Sequence, residues 1–408
     1  MNKWHSESGF WQSTLIYFSA LIVNIVLGWV LVKINTHFLS VEAYGQYSFF
    51  LIFLFMCRTF FGFGLYESAS RQLALSGNEL DRRQLTGTVF LWSLAFYLLF
   101  ALFFLLISFI IDLVFEVKIG RLVYRFAWLS GLVLFHTFFL LALRGYGKMS
   151  LLAEATLYPR VFYIVLLIPI ILSTAFTTEV TIAAMFGGYA ITIIITFIRL
   201  NPAFSGFRIQ SRRLLNEIRS YGIHMYIGAI WQELLFHFDK LVISFFLDDR
   251  SIAYYALAYL LTFPLSHFST ALATGLYRKF SKSEMIERWV FIVNLIFVMC
   301  SVMIFIVLKK IIILQLFSED YLPSVELITP LAMAFGLSGI SKPVTLFLVA
   351  RGFGKIIRNI SVVVPTIQIG ITLLVVPKFG IIGAAWCTFS VYFLDLLLNI
   401  LAYRRLKA

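Results

Sequence analysis

The sequence predicts an all-α integral membrane protein with twelve transmembrane helices, arranged as two parallel-repeat six-helix bundles around a central cavity. Hydrophobic residues make up 61% of the 408 residues, charged residues only 13%, and the mean hydropathy is +0.93. Such a chain has too little polar surface to be covered by water as a soluble protein. A succession of apolar runs gives the helix count, and a repeated pentapeptide gives the two-bundle organisation.

The repeated pentapeptide divides the chain into halves. RGYGK at residues 144–148 recurs as RGFGK at 351–355, and each copy lies between two apolar runs. A proline follows deeper in the next run, Pro159 in one half and Pro365 in the other. This pattern predicts duplication of one membrane-embedded unit. The glycines permit a positive φ in a tight turn, and the basic residues mark an aqueous, cytoplasmic end. The basic residues of these turns are Arg144, Lys148, Arg351 and Lys355.

Apolar runs long enough to cross a bilayer, about 17–25 residues, follow one another along the whole chain. We assign residues 1–200 to an N-terminal bundle, 221–408 to a C-terminal bundle, and 201–220 to a basic cytoplasmic linker. The linker combines four arginines with apolar residues, which favours a position on the inner leaflet; an ordinary basic loop is the alternative. The predicted spans are 11–35, 44–66, 87–111, 122–143, 151–173, 179–199, 221–247, 251–275, 288–308, 325–350, 357–376 and 380–402.

The positions of the basic residues orient these spans. With a cytoplasmic N-terminus, basic residues are about three times as frequent in the inner loops and ends as in the outer ones. Both termini and both glycine turns then lie in the cytoplasm. This bias also explains the formal charge of +13 without nucleic acid as a partner. The inner set includes Lys3, Arg278, Lys279, Lys282 and Lys407.

Sequence motifs of enzymes are missing from the chain. There is no Walker A loop, GxSxG elbow, HExxH sequence or CxxC pair. The Gly-rich turns lie between apolar runs and lack the preceding strand of a phosphate-binding loop. We therefore expect no catalytic residues, no metal site, no cofactor and no ATP-driven pump.

Ionisable residues inside the apolar runs are the candidates for function, because charge is expensive in a membrane. Basic residues exceed acidic ones, which predicts a cationic cavity that attracts an anionic group such as a phosphate. Arg58, Arg160 and Lys342 are expected to line it. The candidate cavity residues are Arg58, Arg160, Lys240 and Lys342, and the candidates for ion or proton coupling are Glu233, His237 and Asp395.

Several of these residues have a second interpretation. Glu233, His237 and Lys240 are spaced i, i+4 and i+7, so they share one helix face. Lys240 either contributes to the cavity, extends to the interface or pairs with Asp239. Glu233 either binds and releases a proton or neutralises a cavity cation. Asp395 serves coupling or partners a basic side chain.

Four stretches resemble a known family, the polysaccharide transporter (Wzx-type, O-antigen flippase) branch of the multidrug/oligosaccharidyl-lipid/polysaccharide flippase superfamily. The most specific is PKFGIIGAA before the last helix. The resemblance implies two six-helix bundles that expose a cavity alternately to each side of the bacterial inner membrane. It implies an undecaprenyl-diphosphate-linked oligosaccharide as substrate, membrane lipids as surroundings, and a polysaccharide polymerase and a chain-length regulator as partners. The stretches are residues 38–47, 238–247, 316–323 and 377–385.

Two other functions compete with this interpretation. A cation-coupled multidrug exporter of the same superfamily needs acidic residues, whereas the first predicted helix contains Lys33 and no acid within the membrane. A membrane-embedded polysaccharide polymerase or glycosyltransferase is expected to carry a large outer loop with catalytic charges. None of the outer loops predicted here is long.

Overall fold

The computed structural model describes residues 2–173, 176–276, 280 and 283–405, with side chains except at 2–18 and 354–355. Arg278, Lys279, Lys282 and Lys407, which contribute to the predicted orientation, lie outside this part, as do the side chains of Lys3 and Lys355. The described chain consists of helices and short turns. The α-helices are α1 (Asn2–Phe38), α2 (Val41–Phe60), α3 (Leu65–Leu75), α4 (Glu79–Ile107), α5 (Ile111–Val114), α6 (Gly120–Ser130), α7 (Leu132–Tyr146), α8 (Met149–Leu172), α9 (Thr178–Leu200), α10 (Phe207–Glu217), α11 (Ile223–Phe246), α12 (Asp249–Thr262), α13 (His267–Gly275), α14 (Arg288–Leu316), α15 (Ser324–Ala350) and α16 (Gly354–Arg405).

Eight helices of the described chain are long and apolar enough to cross a membrane, or up to ten when each of two bent pairs counts as one span. The fold is therefore that of a multi-pass membrane protein. The last candidate span lies in α16, which extends over 52 residues. This helix leaves helical geometry at Gly380, with φ 58° and ψ −149°. The count of twelve crossings stays a prediction.

Two predicted spans are broken in the structure. The run at 44–66 is not one helix: α2 ends at Phe60, and α3 begins at Leu65 after a bend of 62°. Phe63 and Gly64 have positive φ values of 45° and 72° in this break. Similarly, α6 and α7 meet at 45° where one helix at 122–143 was predicted. Apolar composition continues across both breaks, so hydropathy alone does not reveal them.

The chain folds into two compact units. The first comprises Met1–Leu39, Phe53–Val114 and Lys118–Ile230, and the second Ser40–Ile52, Phe115–Val117 and Trp231–Ala408. The predicted bundle boundaries stay predictions. By packing, the predicted linker at 201–220 is part of the first unit.

The first unit is built around close helix pairs. Helix α8 packs against both α1 and α9, and α3 packs against α7. Gly188 of α9 lies directly on the backbone carbonyl of Pro159, where a Cβ atom would overlap the oxygen. Small residues allow such close approach between helices in membranes, where van der Waals contact replaces the hydrophobic effect.

The second unit is centred on α15, which packs against α12, α13, α14 and α16. Phe335 of α15 contacts Tyr392 of α16, with ring centroids 5.7 Å apart. By contrast, α14 exposes much of its apolar surface, including Ile296, Ile304 and Val307. An apolar helix face of this kind is expected to contact lipid.

The two glycine turns have related but unequal geometry. Gly147 follows α7 with φ 72°, whereas Gly352 follows α15 with φ 84°. The left-handed residue is thus the second glycine of RGYGK but the first of RGFGK. Gly145 instead allows close packing, because a Cβ atom there would approach the Leu73 Cβ to 2.9 Å. The basic residues Arg144, Lys148 and Arg351 are exposed.

Candidate functional site

Arg58 lies at the interruption between α2 and α3. It occupies the last turn of α2, its side chain is half-buried, and its guanidinium carbon lies 5.4 Å from the Phe55 ring centroid. No carboxylate of the described residues forms an ion pair with it. Irregular backbone at membrane depth is tolerated where protein or a hydrated cavity satisfies its polar groups. The same surroundings accommodate an arginine.

Arg160 lies directly after Pro159, in the middle of the continuous helix α8. Pro159 has no N–H, so the carbonyl of Ala155 loses its ordinary helical donor. His136 of α7 replaces it: its Nε2 lies 3.0 Å from the Ala155 oxygen. Since a carbonyl only accepts, Nε2 must carry the hydrogen. The Arg160 guanidinium donates to the backbone oxygen of Asn24 and lies over Gly28 of α1.

The two arginines share polar surroundings in the interior of the first unit. Both guanidinium groups lie within electrostatic range of the Tyr189 hydroxyl, and that of Arg58 also lies within range of His136. The His136 and Tyr189 rings meet edge to face, with centroids 4.9 Å apart. We call Arg58, His136, Arg160 and Tyr189 the arginine cluster. It offers guanidinium, imidazole and hydroxyl groups to an anionic or hydroxylated ligand.

Lys342 occupies a comparable position in the second unit, directly before Pro343 of α15. Pro343 deprives the Gly339 carbonyl of its helical donor, and Asn294 of α14 supplies one through Nδ2 at 3.2 Å. Lys342 is half-buried and interacts electrostatically with Asp395 of α16, beyond ion-pair distance. Of the three cations predicted to line a cavity, Arg58 therefore lies at a bend between two helices, and Arg160 and Lys342 each lie beside a proline inside a continuous helix.

Asp395 is held by neutral donors. The Ser341 hydroxyl donates to one carboxylate oxygen at 3.1 Å, and the Asn399 amide donates to the other at 3.1 Å. Asn399 also accepts from Thr345 at 3.1 Å. These hydrogen bonds stabilise part of the negative charge of Asp395, and Lys342 interacts with it electrostatically. The arrangement fits either predicted role, ion or proton coupling or partnership with a basic side chain.

Lys240 is enclosed rather than free. Its side chain is nearly fully buried, and Nζ lies 3.1 Å from Asp239 Oδ1 and 3.3 Å from the Tyr259 ring centroid. Tyr255 donates to the second oxygen of Asp239 at 2.5 Å. The charge of Lys240 is thus compensated inside the protein, which favours the structural interpretation. Its role in substrate binding stays a prediction.

Glu233 and His237 meet on α11, as their spacing predicts. Glu233 Oε1 lies 3.3 Å from His237 Nε2, and both side chains are partly buried. The Glu233 charge also acts on Lys240. Within the part of the chain that the structure describes, no group of three or more His, Cys, Asp or Glu could hold a metal ion.

Comparisons with known proteins agree with this architecture. Residues 10–284 match a family described as polysaccharide biosynthesis protein. An uncharacterized membrane protein of Methanocaldococcus jannaschii is 27% identical over 202 residues, which cover 46% of this chain but only 39% of that relative.

Solved transporters share the fold. The lipid II flippase MurJ in an inward closed conformation gives a TM-score of 0.74 at 17% identity, covering 96% of this chain and 87% of that one. An inward-facing MATE-family multidrug resistance transporter of the MOP superfamily gives 0.75 at 14% identity, covering 96% and 98%. Because the family match covers well over half of the chain, this multi-pass membrane protein belongs to the polysaccharide biosynthesis protein family.

Proposed function

We propose that the protein is a flippase that moves an undecaprenyl-diphosphate-linked oligosaccharide repeat unit, of O-antigen or another surface polysaccharide, across the bacterial inner membrane by alternating access. The observation that carries the proposal is the position of three cations inside apolar spans, with Arg58 at a bend between helices and Arg160 and Lys342 each beside a proline. Guanidinium and ammonium groups in such low-dielectric surroundings attract a diphosphate strongly. Membership of a polysaccharide biosynthesis family supports a glycan as the cargo.

The proposed roles follow from side-chain chemistry. Arg58 and Arg160 bind phosphate oxygens with their planar, multiple donors, while Lys342 acts as a point charge. His136 and Tyr189 offer hydrogen-bonding groups to phosphate or sugar hydroxyls. The polyprenyl tail remains in lipid, where its burial needs no protein. Glu233 with His237, and Asp395 facing Lys342, are the candidates for proton or ion coupling.

The proposed topology has twelve crossings. Ten come from the candidate spans with each bent pair counted once. The remaining two come from α11 and from a second crossing by α16, whose 52 residues are enough for two. An even number places both termini on one side, which we assign to the cytoplasm. A polysaccharide polymerase and a chain-length regulator then act on the product outside.

The test is neutralisation of the three cations. Arg58→Gln, Arg160→Gln and Lys342→Gln are combined in a strain that lacks the chromosomal gene, and export of lipid-linked repeat units is measured. We expect export to fall roughly tenfold or more per charge, because hydrogen bonds to charged groups contribute about 1.5–3 kcal/mol each. A control variant replaces the exposed residues Arg121, Arg125 and Lys310 with Gln and should export normally. Unchanged export after neutralisation of all three interior cations would refute the proposal.

The alternative is a cation-coupled multidrug exporter, favoured by the TM-score of 0.75 with a MATE-family transporter. The two functions predict different phenotypes for the gene deletion. A flippase deletion leaves repeat units on the inner leaflet and removes surface glycan. An exporter deletion leaves surface glycan intact and raises sensitivity to cationic dyes.

A further inference from the structure

Helix α10 is clamped to the first unit through its polar residues. Gln210 donates to Asp81 at 2.6 Å, Arg213 pairs with Asp81 at 3.1 Å, and Trp92 donates to the Ser211 hydroxyl at 3.1 Å. Asp81 and Trp92 belong to α4, a candidate membrane span that begins at Glu79. Helix α10 therefore packs alongside the N-terminal half of a candidate membrane span.

The opposite face of α10 exposes apolar side chains. Ile209 is 74% exposed, and Phe207 and Leu215 are about 40% exposed. A helix that faces water is expected to turn its apolar residues inward, whereas α10 buries only Leu214 among its apolar residues and leaves these three exposed. Exposed apolar residues on a helix fixed beside the end of a span are expected to enter the boundary between headgroups and acyl chains.

Three arginines stand among these apolar residues. Arg208, Arg212 and Arg219 are exposed, and none forms an ion pair or hydrogen bond within the described chain. By contrast, two other arginines of this region are neutralised: Arg213 by Asp81 and Arg71 by Glu217. The outer face of α10 and of the turn that follows it, consisting of Phe207, Arg208, Ile209, Arg212, Leu215 and Arg219, therefore combines exposed apolar side chains with uncompensated positive charge.

We propose that this outer face binds anionic phospholipid headgroups of the membrane surface. A phosphatidylglycerol-like lipid supplies both complements, a phosphate for the arginines and acyl chains for the apolar residues. Zwitterionic lipid supplies the acyl chains but no net negative charge. This binding site is separate from the arginine cluster and does not depend on the transported substrate.

The experiment measures lipid retention by the full-length protein. Native mass spectrometry follows binding of phosphatidylglycerol and phosphatidylcholine, each titrated separately in detergent. We expect a preference for phosphatidylglycerol that weakens with salt, because headgroup attraction to exposed arginines is screened. The variant Arg208→Gln/Arg212→Gln/Arg219→Gln should lose roughly tenfold or more of that preference, since each basic residue near an anionic surface contributes about 1 kcal/mol.

Two further variants distinguish the loss of charge on this face from misfolding and from a change in the overall charge of the protein. Arg208→Lys/Arg212→Lys/Arg219→Lys keeps the charge and should keep most of the preference. Arg288→Gln/Arg404→Gln/Arg405→Gln removes three exposed arginines elsewhere and should keep it fully. Equal retention of both lipids by the wild type, or an equal loss in this control and in the α10 variant, would overturn the proposal.

Discussion

Three cations within apolar spans each lie beside a position where regular helical hydrogen bonding is disturbed, by a bend or by a proline. Such a position leaves backbone groups that need polar partners or water, and the same surroundings reduce the cost of a buried charge. Arg58 lies at the α2–α3 bend, Arg160 follows Pro159, and Lys342 precedes Pro343. Backbone irregularity and interior charge therefore occur together in this protein, in both units.

Lys240 differs from these three, because its charge is matched by Asp239 in a nearly closed environment. Replacing Lys240 with Met should lower the free energy of unfolding by about 3–5 kcal/mol, since it leaves Asp239 buried and unpaired. The double variant Asp239→Asn/Lys240→Met should recover most of that loss, because Asn still accepts from Tyr255. Denaturant titration of the purified protein in detergent measures both changes.

A substrate-binding role for Lys240 predicts a different result. The double variant would then be stable but inactive in export of repeat units. Recovery of both stability and export would establish Lys240 as a structural residue. Recovery of stability without recovery of export would support a substrate-binding role for Lys240. The export assay is therefore the necessary second measurement.

At the residue scale, the sequence predicts the charged candidates inside the apolar runs. It does not predict the neutral side chains that satisfy backbone carbonyls near them. Arg58, Arg160 and Lys342 are conspicuous because a charge in an apolar run is rare. His136 and Asn294 are not conspicuous, since each satisfies a carbonyl on a different helix. A signal for them exists nevertheless. A proline inside a span leaves the carbonyl four residues earlier without its donor, and a polar residue on a neighbouring helix is one way to replace that donor.

At the element scale, the existence of the apolar helices follows from composition, whereas their breaks depend on local backbone geometry. The α2–α3 bend requires positive φ at Phe63 and Gly64 within an uninterrupted apolar sequence. The end of α9 is easier to predict from the sequence, because Asn201 directly precedes Pro202. In the structure, Asn201 adopts φ 46°. Asn tolerates the left-handed region, and proline cannot continue the helix.

The proline inside α8 allows a double-mutant test. His136→Ala leaves the Ala155 carbonyl without a donor, and we expect a loss of about 1–3 kcal/mol in unfolding free energy. In a Pro159→Ala background the N–H of residue 159 can bond to Ala155 itself. Loss of His136 should then have a smaller effect, giving a coupling of about 1 kcal/mol. The cycle compares the wild type, the two single variants and the double variant. Their free energies of unfolding are measured by thermal and denaturant unfolding in detergent.

Asn294 and Pro343 form the corresponding pair in the second unit, and they test whether the same compensation occurs there. Asn294→Ala and Pro343→Ala should show coupling of the same sign, because Asn294 bonds to the Gly339 carbonyl that Pro343 leaves without a donor. A mixed pair, His136→Ala with Pro343→Ala, should show none, since the residues belong to separate units. Additive effects in both matched pairs would mean that these side chains do not compensate for the prolines.

At the scale of the whole molecule, the family and the all-helical multi-pass membrane class were predicted correctly, whereas the twelve crossings and the two repeated bundles stay predictions. The family match covers residues 10–284, and the fold matches transporters over 96% of the chain. The repeated pentapeptide forms a turn after a helix in both halves, but its left-handed glycine differs. Similar sequence therefore does not impose equal turn geometry here, because the preceding helices end three residues apart relative to the repeat.

The final prediction concerns how often α16 crosses the membrane. A single continuous helix of 52 residues would be about 80 Å long at 1.5 Å per residue, far more than the roughly 30 Å hydrocarbon core. Two crossings, separated at Gly380, place Arg351 and Arg405 on the same side and Lys378 on the other. We test this with single cysteines at these exposed positions, in a protein whose Cys57, Cys300 and Cys387 are replaced by alanine. A membrane-impermeant maleimide should label position 378 in intact cells, and positions 351 and 405 only after permeabilisation. Labelling of 351 and 405 from opposite sides would mean one crossing, an odd total and termini on opposite sides of the membrane.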